Sequence, residues 1–495
     1  MLPSYAFAIL VALLQVGKSA FPVPDKDREA KRSYWSDLAK EELHRRLTQE
    51  PNTQLAKNVI IFLGDGMGIS TVTAARIYKG QKVECVSGEE SVLAWETFPY
   101  VSLSKTYGLD AQTSDSANTA TAYLCGVKAN IKTLGVDSSI KAGMCHANET
   151  SHLPSIMKWA QDSGKWTGVV TTTRVTEATP AAAYAHSGHR SWQSRVPQDC
   201  GAKDIAYQLV HQEPGSELRV VMGGGRDSFL NQTSKGERGY RVDGRNLTDD
   251  WVKNKSSTGK YVKTREELLR VNANETDYIL GLFSSDSMAY LVNRTDPNAQ
   301  QPSLEEMTSK ALDLLTRSPC GFVLLVEGGR IDHAHHDTRA HLALEETLEF
   351  ERTVNETVRR LGTNDTLIVV TADHSHTMTI SGYPERGNNI LGIAGYSGTG
   401  ANLAYTTLSY ANGPEGGKEL KNLTEEETSS VEFVQPATFL RRRETHGGED
   451  VAVYAEGPWA HLFSGVHDQT FIPYVLAFAS CIGEFSGNNC NVTDT

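Results

Sequence analysis

The chain has 495 residues, 39% of them hydrophobic, with a formal net charge of -12 and a pI near 5.7. This length holds several average domains or one large α/β domain with insertions. The acidic balance argues against a nucleic-acid partner, because no basic stripe exists to neutralise phosphates; an anionic substrate would need local positive charge, which metal ions would supply.

In chain order, Tyr5 to Val16 is an apolar stretch too short to span a membrane and followed by small residues, the pattern of a secretory signal peptide over residues 1–20. Residues 21–53 are polar, with helical potential from Trp35 to Leu47, and read as an arm packed on the outside or on a partner. Asn58 to Gly68 (NVIIFLGDGMG) is a continuous apolar run ending at Asp65, followed by a predicted helix from Ser70 to Lys79. In Thr113 to Val127, Asp115 is suited to cap a helix. Ser116 would then stand at the helix start, where unpaired N–H groups favour an anion. Trp166 to Thr173 is another strand, followed by Arg174, Glu177 and Thr179. Arg190 offers a planar fork that would grip two phosphate oxygens. Val220 to Arg226 (VVMGGGR) is a strand with a glycine turn that lacks the Gly-Lys-Ser/Thr ending of a P-loop.

Phe322 to His336 (FVLLVEGGRIDHAHH) repeats the design of the Asp65 strand. An apolar run stops at Glu327 and a Gly-Gly turn, then Asp332, His333, His335 and His336 follow within five positions. Asp332 and His336 are four apart, so one helical turn aims both side chains the same way, a pairing that suits zinc. Thr366 to His376 (TLIVVTADHSH) is the third such stretch, ending in Asp373, His374 and His376. Ligand sites in open α/β sheets form outside the carboxyl ends of the strands, so these three stretches predict one site. From Ser381 to about Arg443 the composition turns Gly-rich and polar, an inserted exposed subdomain, after which His446 in ETHGGED is a further candidate ligand.

Seven cysteines in an oxidising compartment permit three disulfides and leave one thiol over. Cys481 and Cys490 flank a short glycine-containing loop and form the favoured pair; Cys85, Cys125, Cys145, Cys200 and Cys320 cannot be paired by counting, and Cys125 suits a buried free thiol. Ten glycosylation sequons, at Asn148, Asn231, Asn246, Asn254, Asn274, Asn293, Asn355, Asn364, Asn422 and Asn491, fit a secreted glycoprotein. Phe471 to Ala479 is interrupted by Pro473 and falls below the ~20 residues of a spanning helix. No hydrophobic tail for a lipid anchor follows, so a soluble, extracellular form is expected.

Taken together, DGMG after a strand, DSANTATAYLCGVK, VVTTTRV, EGGRIDHAHH, TADHSH and ETHGGEDV resemble alkaline phosphatase, in its animal secreted and membrane-anchored branch. The resemblance implies a three-layer α/β sandwich with a large, mostly parallel central sheet and a crown-like insertion. Its divisions are a signal peptide at 1–20, an arm at 21–53, a catalytic domain at 54–381 and 444–482, the insertion at 382–443 and a tail at 483–495. By motif it implies a first zinc on Asp332, His336 and His446, a second on Asp373, His374 and the nucleophile Ser116, and Asp65 between the second zinc and a magnesium that Glu327 also binds. Glu177 and Thr179 fall where the family completes the magnesium site, Arg190 where it holds phosphate, and His333 and His376 where it orients ligands or substrate. Disulfides Cys145–Cys200 and Cys481–Cys490, and a homodimer in which Tyr383 approaches the partner's site, are implied as well.

This chain departs from the family pattern at Glu177, where Asp or His is usual. It also carries Ser284 and Gln301 in place of calcium-binding carboxylates, so that site is expected to be weak or absent. Two competing readings are a phosphodiesterase or sulfatase of the same superfamily and an inactive glycosylated binding protein. Ser116 lacks the C/S-x-P-x-R context of a sulfatase, and no expected ligand is lost.

Overall fold

Apolar runs that end in carboxylates form the middle of a ten-stranded sheet. The structure is a computed structural model of the chain and describes residues 21–145, 149–232, 239–294, 300–398, 402–418 and 422–487. The signal-peptide segment, Asn148, Cys490, Asn491 and the end of the tail lie outside the described residues.

The sheet strands are β1 (Asn58–Gly64), β2 (Tyr100–Lys105), β3 (Trp166–Arg174), β4 (Val220–Gly224), β5 (Gly259–Val262), β6 (Tyr278–Leu282), β7 (Phe322–Gly328), β8 (Thr366–Thr371), β9 (Val451–Glu456) and β10 (Gly465–Asp468). Their order is β10-β2-β9-β8-β1-β7-β3-β4-β6-β5, and only β9 runs antiparallel to its neighbours. Every residue of β1, β7 and β8 is buried. Side chains alternate along a strand, so Ile60 and Phe62 enter one apolar core while Val59, Ile61 and Leu63 enter the other. Two cores, one on each face, make the three-layer arrangement expected of a mostly parallel sheet.

Helix α1 (Arg32–Leu47) buries none of its residues and leaves Trp35, Leu38, Leu43 and Leu47 exposed. Helix α2 (Ser116–Cys125) is buried along its whole length and sends Ala117, Ala120, Tyr123 and Leu124 into one core. Helix α3 (Ala178–Ala182) follows β3, and α4 (Arg330–His336) follows β7. Helix α5 (Ala340–Leu361) packs Leu344, Leu348, Phe350 and Val354 into the opposite core.

Between β8 and β9 the chain builds a three-stranded sheet from Met378–Ile380, Leu408–Gly413 and Ala437–Leu440, and a hairpin from Ile393–Tyr396 and Ala404–Thr406. It then returns to pair His446–Gly447 with Ser375–His376, placing His446 opposite His376. Cys145 and Cys200 are disulfide-bonded, whereas Cys85, Cys125 and Cys320 are free and Cys125 is buried. Cys481 is also disulfide-bonded. Among the described residues no helix is long and apolar enough to cross a membrane.

Candidate active site

The carboxyl ends of β1, β3, β7 and β8 deliver the site. Asp65 follows β1, Glu327 is the penultimate residue of β7, and Asp373 and His374 follow β8. Helix α4 then presents Asp332 and His336 one turn apart. Ser116 opens α2 behind Asp115, whose carboxylate accepts from Asn118 N while the Asn118 side chain answers at Asp115 N, a reciprocal N-terminal cap.

Two groups of ligand atoms converge. In the first, Asp332 Oδ1 stands 3.4 Å from His336 Nε2 and 3.3 Å from His446 Nε2, and the two imidazole nitrogens are 3.2 Å apart. In the second, His374 Nε2 stands 3.2 Å from Ser116 Oγ, 3.0 Å from Asp373 Oδ2 and 3.6 Å from Asp65 Oδ1. Ligands on a tetrahedral zinc at its usual bond lengths lie about 3.3 Å from one another; both groups have that spacing. The imidazoles are also turned correctly. His336 Nδ1–H donates to the Glu444 carbonyl (2.6 Å) and His446 Nδ1–H to the Ser114 carbonyl (2.8 Å), which leaves each Nε2 lone pair facing the cluster.

Asp65 Oδ1, Glu327 Oε1, Asp373 Oδ2 and Thr179 Oγ1 are buried without a well-aligned hydrogen-bond partner, although the Thr179 hydroxyl lies close enough to Glu327 and Tyr123 to lower the pKa of each as a weak hydrogen bond would. Buried oxygens are normally satisfied, so four orphans in one region fit a cation-binding role. Burial, with Asp373, Asp332 and Glu327 nearby, holds the Asp65 carboxyl well above the usual range, and burial pushes Glu327 up to about 7. The same burial pushes His336 down to about 3 and lowers His446, so both imidazoles are neutral and available to a metal.

Glu177 is placed differently from the other expected ligands. Its Oε2 is gripped by Arg174, with Nε at 2.8 Å and Nη2 also bonded, and its Oε1 accepts from Arg190 Nη2 at 3.1 Å. Burial would raise its carboxyl, but Arg174 and Arg190 pull it down to about 2. Arg190 Nη1 donates in turn to Asp115 Oδ2 (3.1 Å), so the guanidinium is fixed between Glu177 and the residue that caps the Ser116 helix.

Of the remaining candidates, His333 meets Arg330 Nη1 through Nδ1 at 2.7 Å. His335 points away from the cluster, with Nε2 at 3.0 Å from Thr71 Oγ1 and Nδ1 at 2.8 Å from Tyr410 Oη. His376 bridges two carboxylates, with Nε2 at 2.8 Å from Asp332 Oδ1 and Nδ1 at 2.5 Å from Glu444 Oε2. Burial would lower it, but Glu444 and Asp332 hold its imidazolium up to about 10. Sequence reasoning missed Glu444, which is 1% exposed and also accepts from Thr377. Its only signal was its place two residues before His446. The sequence marks Asp115 only as a cap and Arg174 only as the residue after a strand. In the calcium region, Gln301 Oε1 accepts from Ala289 N, and the Ser284 carbonyl from Arg226 N. Tyr383 is fully exposed.

A mostly parallel sheet whose strand ends gather carboxylates, imidazoles and a serine at a helix start defines an α/β protein with side chains grouped to hold metal ions. The alkaline phosphatase family model matches residues 56–482. The tissue-nonspecific alkaline phosphatases of Gallus gallus and Homo sapiens are each 46% identical to the chain, over 96% and 94% of it and 94% and 91% of their own lengths. The membrane-bound alkaline phosphatase of Bombyx mori is 41% identical over 92% of this chain and 86% of its own. In fold, the chain is similar to alkaline phosphatase from Thermus thermophilus, with a TM-score of 0.63 at 24% identity over 87% of this chain and 92% of that one. It is also similar to the enzyme of the Antarctic bacterium TAB5, with a TM-score of 0.61 at 19% identity over 87% and 100%. The chain belongs to the alkaline phosphatase family and is a phosphoric monoester hydrolase.

Proposed function

We propose that the chain hydrolyses phosphate monoesters through a phosphoserine on Ser116, with two zinc ions and one magnesium ion per chain. The observation that carries this reading is the convergence of the Ser116 hydroxyl, Asp373 Oδ2 and Asp65 Oδ1 on His374 Nε2, at 3.2, 3.0 and 3.6 Å. Asp332, His336 and His446 would hold one zinc, Asp65, Ser116, Asp373 and His374 the other, and Asp65, Thr179 and Glu327 the magnesium. When bound, these ions supply Lewis-acid charge at the reacting oxygens and lower the pKa of a hydroxyl or water beside them.

Ser116 Oγ attacks phosphorus as the ester P–O bond breaks, and the proton lost from the serine hydroxyl is balanced by the one the departing alcohol gains from solvent. Water then attacks the phosphoserine, the Oγ–P bond breaks, and the serine hydroxyl and inorganic phosphate are restored. Arg190, held flat between Asp115 and Glu177, offers paired N–H donors to two phosphate oxygens, where negative charge gathers in the transition state. Removing the nucleophile by Ser116→Ala should reduce turnover of a chromogenic phosphate monoester at least about 1,000-fold. Near-normal turnover in that variant would end the assignment, and hydrolysis of a bis-ester at the monoester rate would favour the phosphodiesterase reading. Secretion fits the apolar Tyr5–Val16 segment and the Cys145–Cys200 disulfide. None of the described sequon asparagines is buried, which fits a glycoprotein. A homodimer would cover the bare apolar residues of α1 and bring Tyr383 toward a neighbour.

A further inference from the structure

Glu177 stands inside a chain of alternating charge that runs from the surface to the nucleophile's helix. Asp286 Oδ1 meets Arg174 Nη1 at 2.8 Å, and Arg174 Nε meets Glu177 Oε2 at 2.8 Å. Glu177 Oε1 meets Arg190 Nη2 and Asp115 Oδ2 meets Arg190 Nη1, each at 3.1 Å. Asp115 Oδ1 accepts from Lys132 N at 2.9 Å, and Asp115 caps the helix that Ser116 opens. The side chain of Glu177 is 8% exposed, against 30% for Arg174 and 64% for Asp286, so the order grows from the outside inward.

Two observations separate Glu177 from the metal-binding set. The oxygens of Asp65, Thr179 and Glu327 include buried atoms with no well-aligned partner, as a cation site requires, whereas both Glu177 oxygens are already taken by guanidinium groups. In addition, Gly225 of the VVMGGGR turn backs the clamp: it is left-handed at φ +89, and a Cβ there would stand 2.8 Å from Arg174 Cβ. Only a residue without a side chain lets Arg174 lie where it reaches Glu177.

We propose that Glu177, clamped by Arg174, is a positioning residue that sets the phosphate-gripping guanidinium of Arg190 and is not a ligand of the magnesium ion beside Thr179 and Glu327. Arg174 therefore acts on phosphate affinity through two ion pairs without touching the substrate. The inference rests on the phosphomonoesterase reading above.

The test uses the metal-loaded full chain. Glu177→Gln keeps the size and removes the charge. It should raise the Ki of inorganic phosphate about tenfold, as loss of a charge-assisted hydrogen bond would, while metal per chain by elemental analysis stays at the wild-type value. Arg174→Gln should raise the same Ki about threefold, and the double variant should do no worse than Glu177→Gln alone, because the two residues act in series. Loss of one metal equivalent in Glu177→Gln with phosphate Ki unchanged would overturn the proposal. If Glu177→Gln does not fold, the partly exposed Arg174→Gln decides: an unchanged Ki there overturns it equally. Wild-type protein that turns over monoesters while both variants bind phosphate normally defeats this inference alone; wild-type protein with no turnover defeats the underlying reading as well.

Discussion

His335 and His336 are neighbours in sequence and opposites in use. His336 gives Nδ1–H to the Glu444 carbonyl and turns Nε2 toward Asp332, while His335 spends both nitrogens on Thr71 and Tyr410 inside the core. His376 differs again, because a carboxylate on either side keeps it protonated. It can therefore only donate, and its donation to Asp332 Oδ1 orients that carboxylate. Glu444→Gln weakens the charge that sustains this proton. Zinc affinity is then expected to fall about 10–100-fold, the usual consequence of removing an outer partner of a ligand, measured by competition with a chromogenic chelator. Wild-type affinity in this variant would show that His376 orients nothing.

Strand ends and helix starts carry the site, and their turns leave little room. Gly66, just after β1, is left-handed at φ +69, and a Cβ on it would lie 2.4 Å from His376 Cδ2. Gly66→Ala would bring both backbone strain, costing roughly 1 kcal/mol, and displacement of the imidazole that steadies Asp332. The expected result is an intact far-ultraviolet spectrum with monoester turnover reduced at least about tenfold, since small misplacements of catalytic groups are costly. Helix α4 shows why the 3.6-residue period matters: Asp332 and His336 share the face toward the cluster, and Ile331 and His335 share the face toward the core.

Across the whole molecule, the site is a concentration of negative charge that the fold tolerates only under compensation. Burial raises the folded-state pKa of Glu327 to about 7 from its ordinary 4.5. An acid with a raised folded pKa holds its proton in the native state after the unfolded chain has released it. Its contribution is therefore fully favourable below about pH 4.5 and is lost as pH rises toward 7. Chelated protein should accordingly lose thermal stability over that window, and Glu327→Gln, which has no proton to lose, should be less affected. Melting curves of both chelated proteins from pH 4.5 to 7 test this; parallel curves would contradict it. Restoring metal should stabilise the wild type, because a ligand bound only by the native state shifts the unfolding equilibrium.

Much of this was legible along the chain. The apolar runs of β1, β7 and β8, each closing on a carboxylate, announced buried parallel strands and a site at their ends, because side-chain patterning is a local property. Asp332 and His336 announced their common face by spacing alone. Tertiary structure alone decided what depends on distant neighbours: the return of the chain that sets His446 opposite His376, the diversion of His335 into the core, the role of Glu444, and the capture of both Glu177 oxygens by Arg174 and Arg190. A residue's type states which bonds it can make. Which of them it does make is settled by the groups that folding brings within about 3 Å, and in a low-dielectric interior those few partners determine protonation, orientation and use.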